Sequence, residues 1–130
     1  MYRWAEHTGE LELEIEAGSE QGVFEEAFRA MRGLLRGEAV DVQSCSRHVS
    51  LHASDRAVLL ADWLGELAFL SERGSQPAQL TSLELCGSAL QAVIGCRDGN
   101  APHLVKAATY HRLALEAHHA GWRARVVLDV

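Results

Sequence analysis

The residues best suited to chemistry lie near the two ends of the chain. In GELELEIEA (9–17), Glu10, Glu12, Glu14 and Glu16 alternate with Leu11, Leu13, Ile15 and Ala17. In WRARVVLDV (122–130), Arg123, Arg125, Val127 and Asp129 alternate with Trp122, Ala124, Val126 and Leu128. A period of two is that of a strand with one buried face. An antiparallel pairing that sets Glu10 opposite Asp129 also sets Glu12 against Val127, Glu14 against Arg125 and Glu16 against Arg123. Two glutamates then gain a cation across the ladder, a pair type worth up to about 1 kcal/mol each. At the other end Glu10, Asp129 and the α-carboxylate of Val130 converge, with no arginine expected among them. At about 5 Å separation and an effective dielectric of about 20, each pair repels by about 3 kcal/mol. Such groups splay into water, share a proton, or hold a hard cation. Oxygen-only ligands suit Ca²⁺ or Mg²⁺ and do not suit structural Zn²⁺.

Other candidates are weaker. His7, three residues before Glu10, is placed either to orient a carboxylate or simply to hydrogen-bond nearby. Asp62 and Glu66 are spaced i, i+4 on one helix face, where like charges repel slightly and usually face water. Cys45, His48 and His52 form a sparse zinc-like set, but a structural zinc needs four converging ligands and the period of two puts Cys45 on the opposite face. No GxSxG nucleophile elbow and no Gly-rich phosphate loop is present.

The elements that must position these groups follow from periodicity. After the 9–17 strand, Ser19 is a helix cap. Phe24, Ala27, Phe28, Met31, Leu34 and Leu35 recur at helical spacing, with Gly37 as the expected stop. CSRHVSLHA (45–53) reads as a short strand. A second helix starts at Ser54 or Asp55 and ends at Gly74, with Leu59, Leu60, Trp63, Leu64, Leu67 and Leu70 as its apolar face. GSQP then reads as a turn. QLTSLELC and SALQAVIGC read as strands separated by Gly87, and RDGNAP as a loop. HLVKAATYH is a mixed extended segment, and RLALEAH and WRARVVLDV form a hairpin across HAG. The pattern predicts a single α+β domain over residues 1–130, mostly antiparallel sheet with two covering helices.

Composition narrows the function. With 48% hydrophobic and 23% charged residues, the chain is globular rather than disordered. A net charge of −6 argues against bulk nucleic-acid binding driven by phosphates, so RNA is expected to enter only indirectly, through a partner. The start of the chain has no apolar signal core, and no run approaches a membrane span. Three cysteines without a CxxC spacing fit reduced thiols, a cytoplasmic location and no disulfide-linked partner.

Four stretches occur in order: EHTGELELEIEA, LLADWLGELAFLSE, VKAATYHRLALE and WRARVVLDV. This combination resembles the archease family over essentially the whole chain. The resemblance implies an archease-like fold and an accessory protein, not an enzyme, that activates a GTP-dependent RNA ligase. The ligase joins RNA 2′,3′-cyclic phosphate or 3′-phosphate ends to 5′-hydroxyl ends, in tRNA splicing or RNA repair; the accessory protein promotes its guanylylation and multiple turnover. The resemblance also implies a divalent-metal site, commonly calcium, with Mg²⁺ or Mn²⁺ as alternatives. Carried onto this chain, its ligands are Glu10, Asp129 and Val130. Lys106, Thr109 and His111 are implied contacts to the ligase or its nucleotide phosphates, with His7, Asp62 and Glu66 in support. One departure stands out: the family usual His-Thr-Ala-Asp is His7-Thr8-Gly9-Glu10 here, which lengthens the first ligand by a methylene. Two competing readings are a stand-alone metal-dependent phosphoester hydrolase using the same carboxylates, and a chaperone-like interaction domain.

Overall fold

A computed structural model describes residues 1–36, 45–99 and 105–130. Gly37, expected to end the first helix, and most of the loop before Val105 lie outside them. The described elements run β1 (Tyr2–His7), β2 (Glu10–Ala17), α1 (Glu20–Leu35), β3 (Cys45–His52), α2 (Arg56–Glu72), β4 (Ser75–Cys86), β5 (Ala89–Asp98), β6 (Ala107–His118) and β7 (Gly121–Asp129). They form an α+β fold with two antiparallel sheets, ordered β1-β2-β7-β6 and β3-β5-β4. Both helices touch both sheets.

The helices begin where their caps dictate. Ser19 Oγ accepts from the Gly22 amide at 2.9 Å, and Asp55 Oδ1 accepts from Ala57 at 2.7 Å, each satisfying an orphan donor of a first turn. Helix α1 buries Phe24, Phe28 and Met31 along one stripe. Helix α2 buries Leu59, Leu60, Trp63, Leu64 and Leu67. Trp63 is wholly buried, stacks with Phe28 at a centroid distance of 6.2 Å, and donates its indole N–H to the Phe24 carbonyl at 3.1 Å. That bond satisfies the one polar atom of a large core side chain.

Three expectations need correction. Strand β1 was not among the expected elements; it pairs with β2 through the two-residue Thr8-Gly9 loop, with Gly9 at φ +74°. GSQP is not a turn, because Gly74 at φ +88° reverses the chain alone and β4 starts at Ser75. Pro77 is tolerated there because β4 is an edge strand, where a missing N–H costs no interior ladder bond. Finally, the mixed segment and RLALEAH are one strand, β6, interrupted by a bulge. Thr109 pairs with Val127 and Ala114 with Arg125, so residues 110–113 of β6 stand against Val126 alone.

Gly121, at the start of β7, crosses the end of β2: a Cβ there would lie 2.5 Å from the Ala17 carbonyl oxygen. Gly121→Ala is expected to cost about 1–3 kcal/mol, read as a lower urea midpoint with an unchanged slope. Wild-type stability would show that the ladder end shifts freely.

Candidate functional site

The pairing of β2 with β7 has the register considered above, one that the alternation permits: Glu10 opposite Asp129, Glu12 opposite Val127, Glu14 opposite Arg125 and Glu16 opposite Arg123. The side chains, however, find other partners. Glu14 is held by Arg3 of β1, whose Nε lies 3.0 Å from its carboxylate and whose Nη2 lies closer still. Arg123 binds Glu116 at 2.6 Å, and Glu16 faces the His118 ring at 4.0 Å. Arg125 donates its Nε to the Arg112 carbonyl at 2.9 Å and stands 4.0 Å from Glu12. The unexpected strand and the bulge supply nearer partners than β7 does.

The bulge also delivers a cation to the acidic end. Arg112, at φ +55°, reaches back over β7, with Nη2 3.4 Å from Glu10 and Nη1 3.5 Å from Glu12. The expectation of no arginine there is therefore corrected. Glu12 is only 7% exposed, so its carboxylate depends on Arg112 and the more distant Arg125. A partly buried carboxylate is stable only when so compensated.

Main-chain bonds tie the remaining residues together. The Val130 amide donates to the Gly9 carbonyl at 3.2 Å, and the Lys106 amide donates to the Asp129 carbonyl at 2.8 Å. His7 is the cross-strand partner of Glu10. Thus Glu10, Asp129, Val130, His7 and the Lys106 backbone meet at one end of the β1-β2-β7 sheet. Asp129 is exposed, and its carboxylate makes no ion pair among the described residues. Counting side chains alone, no three of His, Cys, Asp and Glu among the described residues are grouped to hold a metal. The carboxylates of Glu10 and Asp129, on adjacent strands, are hard oxygen donors of the kind calcium takes, although Glu10 shares its charge with Arg112.

Lys106 opens onto a cavity of about 500 Å³ shared with Asp62, Glu66 and Phe69 of α2. The structure thus joins the three charged residues that the sequence offered separately. Tyr110, in the bulge, donates its hydroxyl to Asp62 at 2.9 Å, and that bond raises the phenol's pKa. Thr109 Oγ1 accepts from the His111 amide at 3.3 Å, shaping the entry to the bulge. The zinc-like set does not converge: His48 bonds Gln91 and His52 bonds Ser88, while Cys45 stands opposite Cys96. Burial, then the neighbouring Cys45, pushes the Cys96 thiol up to about 11. Arg112 and Arg3 were missed by sequence reasoning. The bulge did leave a trace, since outward residues are odd-numbered through Thr109 and even-numbered from Ala114.

The chain is thus a two-sheet α+β domain with Glu10 and Asp129 paired at one end of a sheet and Arg112 reaching to Glu10. The model of the Archease protein family (MTH1598/TM1083) matches residues 2–130. The chain belongs to the archease family. Protein archease of Methanosarcina mazei is 30% identical over 99% of this chain and 95% of its own length. Protein archease of Methanosarcina acetivorans is 29% identical over the same shares. The solution structure of Methanobacterium thermoautotrophicum protein 1598 superposes with a TM-score of 0.76 at 22% identity, covering 99% of this chain and 98% of that one. The crystal structure of an archease, possible chaperone, from Thermotoga maritima gives a TM-score of 0.68 at 22% identity, covering 100% and 98%. At that identity these two likenesses establish the fold. Among the described residues no helix is long and apolar enough to cross a membrane.

Two predictions follow from the charge pairs. Arg112→Ala is expected to destabilise by about 1–2 kcal/mol, and adding Glu12→Gln should restore most of the loss; additive effects in chemical denaturation would uncouple the two residues. Separately, Arg3 beside Glu14 and Arg123 beside Glu116 hold both carboxyls below their usual range. A depressed folded-state pKa contributes stability that is complete above the unfolded value of about 4.3 and is lost as pH falls through the folded one. Arg3→Ala should therefore weaken the protein at neutral pH and progressively less on acidification, in urea midpoints measured across pH; a constant difference would contradict the pairing.

Proposed function

We propose that the chain is an accessory protein that activates a GTP-dependent RNA ligase, promoting its guanylylation and multiple turnover in tRNA splicing or RNA repair in the cytoplasm. The observation that carries this reading is membership of the archease family across residues 2–130. The site geometry supports it. Glu10, Asp129 and Val130 would hold a divalent cation, most simply Ca²⁺, with Mg²⁺ or Mn²⁺ meeting the same donors. Such an ion, when bound, supplies positive charge for phosphate oxygens.

The chain's own residues do the rest. Arg112 limits the charge at Glu10, and His7 stands across from Glu10 to orient it. Lys106, an exposed residue whose backbone amide bonds the Asp129 carbonyl, would meet with its ammonium the charge of a nucleotide phosphate on the ligase. Asp62 and Glu66 line the cavity that Lys106 shares, and with Thr109 and His111 of β6 they would form the ligase contact. The longer Glu10, in place of the family's usual Asp, moves its carboxylate outward by about one methylene, which calcium's flexible coordination tolerates.

The protein alone should not join RNA, and with a purified cognate ligase and GTP it should raise guanylylation or turnover. Unchanged multiple turnover with excess protein rejects the activator reading. Phosphoester cleavage by the purified chain plus metal would instead favour a hydrolase. Adding one residue after Val130 should weaken calcium binding measured by calorimetry, as should Glu10→Ala. Calcium should also raise the melting temperature of the wild type by mass action. Unaltered affinity in the extended chain removes Val130 from the site.

A further inference from the structure

The chain carries twelve Lys and Arg residues against eighteen Asp and Glu, yet four of the arginines line one cavity. Its volume is about 330 Å³, and it lies where the second half of α1 passes the starts of β1 and β4 and the end of β5. Arg29, Arg32 and Arg36 are spaced three and four residues apart, so they share a helix face. Arg97 comes from β5, and Tyr2 and Gln76 complete the polar and aromatic lining.

Among the described residues little neutralises this set. Arg29 is paired with Glu26, which the Met1 amino group also contacts at 2.9 Å. Among the described residues the guanidinium of Arg32 reaches only the Ala78 carbonyl, at 3.4 Å. Arg36 and Arg97 make no ion pair among the described residues, and the buried Nε of Arg97 has no hydrogen-bond partner among them. Three guanidinium groups with no ion pair among the described residues, gathered around a small concavity, repel one another and favour a multivalent anion. Planar guanidinium groups match phosphate oxygens two at a time. Tyr2, 39% exposed at the rim, adds an aromatic surface on which a base stacks. A carboxylate peptide would use the arginines and leave that ring without a partner.

We propose that this cavity binds nucleotide phosphate, either along a single-stranded RNA or on a free nucleotide. The overall charge of −6 disfavours binding all over the surface and leaves this cavity as a localised exception. The cavity is separate from the carboxylate end of the sheet. Tyr2 lies at the start of β1, and His7, opposite Glu10, lies at its end, about 17 Å away at the strand rise. The inference therefore stands apart from the ligase reading, and the failure of either leaves the other intact.

The test is fluorescence anisotropy with the full chain and three labelled probes: a short oligouridine, ATP, and a phosphopeptide of charge equal to the oligouridine. Tighter oligouridine binding identifies a strand site, and tighter ATP binding a free-nucleotide site. For the strand, log affinity against log salt should slope at about −2 to −3, as expected for three or four neutralised phosphates. Arg32→Glu/Arg36→Glu should weaken binding by about tenfold or more and lower that slope. Arg36→Ala, on an exposed residue just beyond α1, tests the same site without threatening the fold. Arg123→Glu, on the outer sheet face, should bind like wild type. No nucleotide binding at low salt, equal binding by both Arg36 variants, or tighter binding of the phosphopeptide overturns the proposal.

Discussion

The antiparallel ladder between β2 and β7 is the constraint on which the rest of the structure depends. These strands are the central pair of the four-stranded sheet, and β1 and β6 attach to their outer edges. Their inward residues, Leu13, Ile15, Ala124, Val126 and Leu128, are almost fully buried. A slip of one residue would turn that apolar set to solvent and send the glutamates into the core, so burial sets the register strongly. Once it is set, Glu10 and Asp129 face each other and Val130 is drawn to Gly9. The meeting of Glu10 and Asp129 at the sheet end is thus a by-product of core packing on its other face.

The bulge in β6 sets the charge at that end. Extra residues placed against Val126 change which side of the strand faces outward and tip Arg112 back toward β2. Its carbonyl accepts from Arg125 while its guanidinium serves Glu10 and Glu12. One residue therefore offsets a crowded row of carboxylates and leaves Asp129 without an ion pair among the described residues. Tyr110, in the same bulge, binds Asp62 and couples this irregular stretch to α2. Bulges commonly occur where a strand must re-aim a side chain, and here the re-aimed group is a cation.

Charge is distributed unevenly over the molecule. The outer face of the four-stranded sheet pairs its acids with bases, as in Arg3–Glu14 and Arg123–Glu116. The cavity beside the second half of α1 collects arginines with few acids. A net charge averages over both and describes neither.

Much was legible in the residue pattern. The two helices, the cap at Ser19, the β6–β7 hairpin and the inward faces of β2 and β7 all follow from local periodicity, because burial of one face imposes a period that needs no knowledge of neighbours. The β2–β7 register was permitted by that alternation and is one of several even shifts that keep the faces. The short β1 was not legible: Tyr2 and Trp4 alternate, but Glu6 breaks the pattern on the inward side. The partners of Glu14 and Glu16, the approach of Arg112 to Glu10 and the gathering of four arginines were also beyond it. Periodicity assigns a residue to a face, whereas a long side chain chooses among all groups within its reach. Which strands flank the ladder, and where a strand bulges, decides that reach, so only the tertiary structure could make the choice.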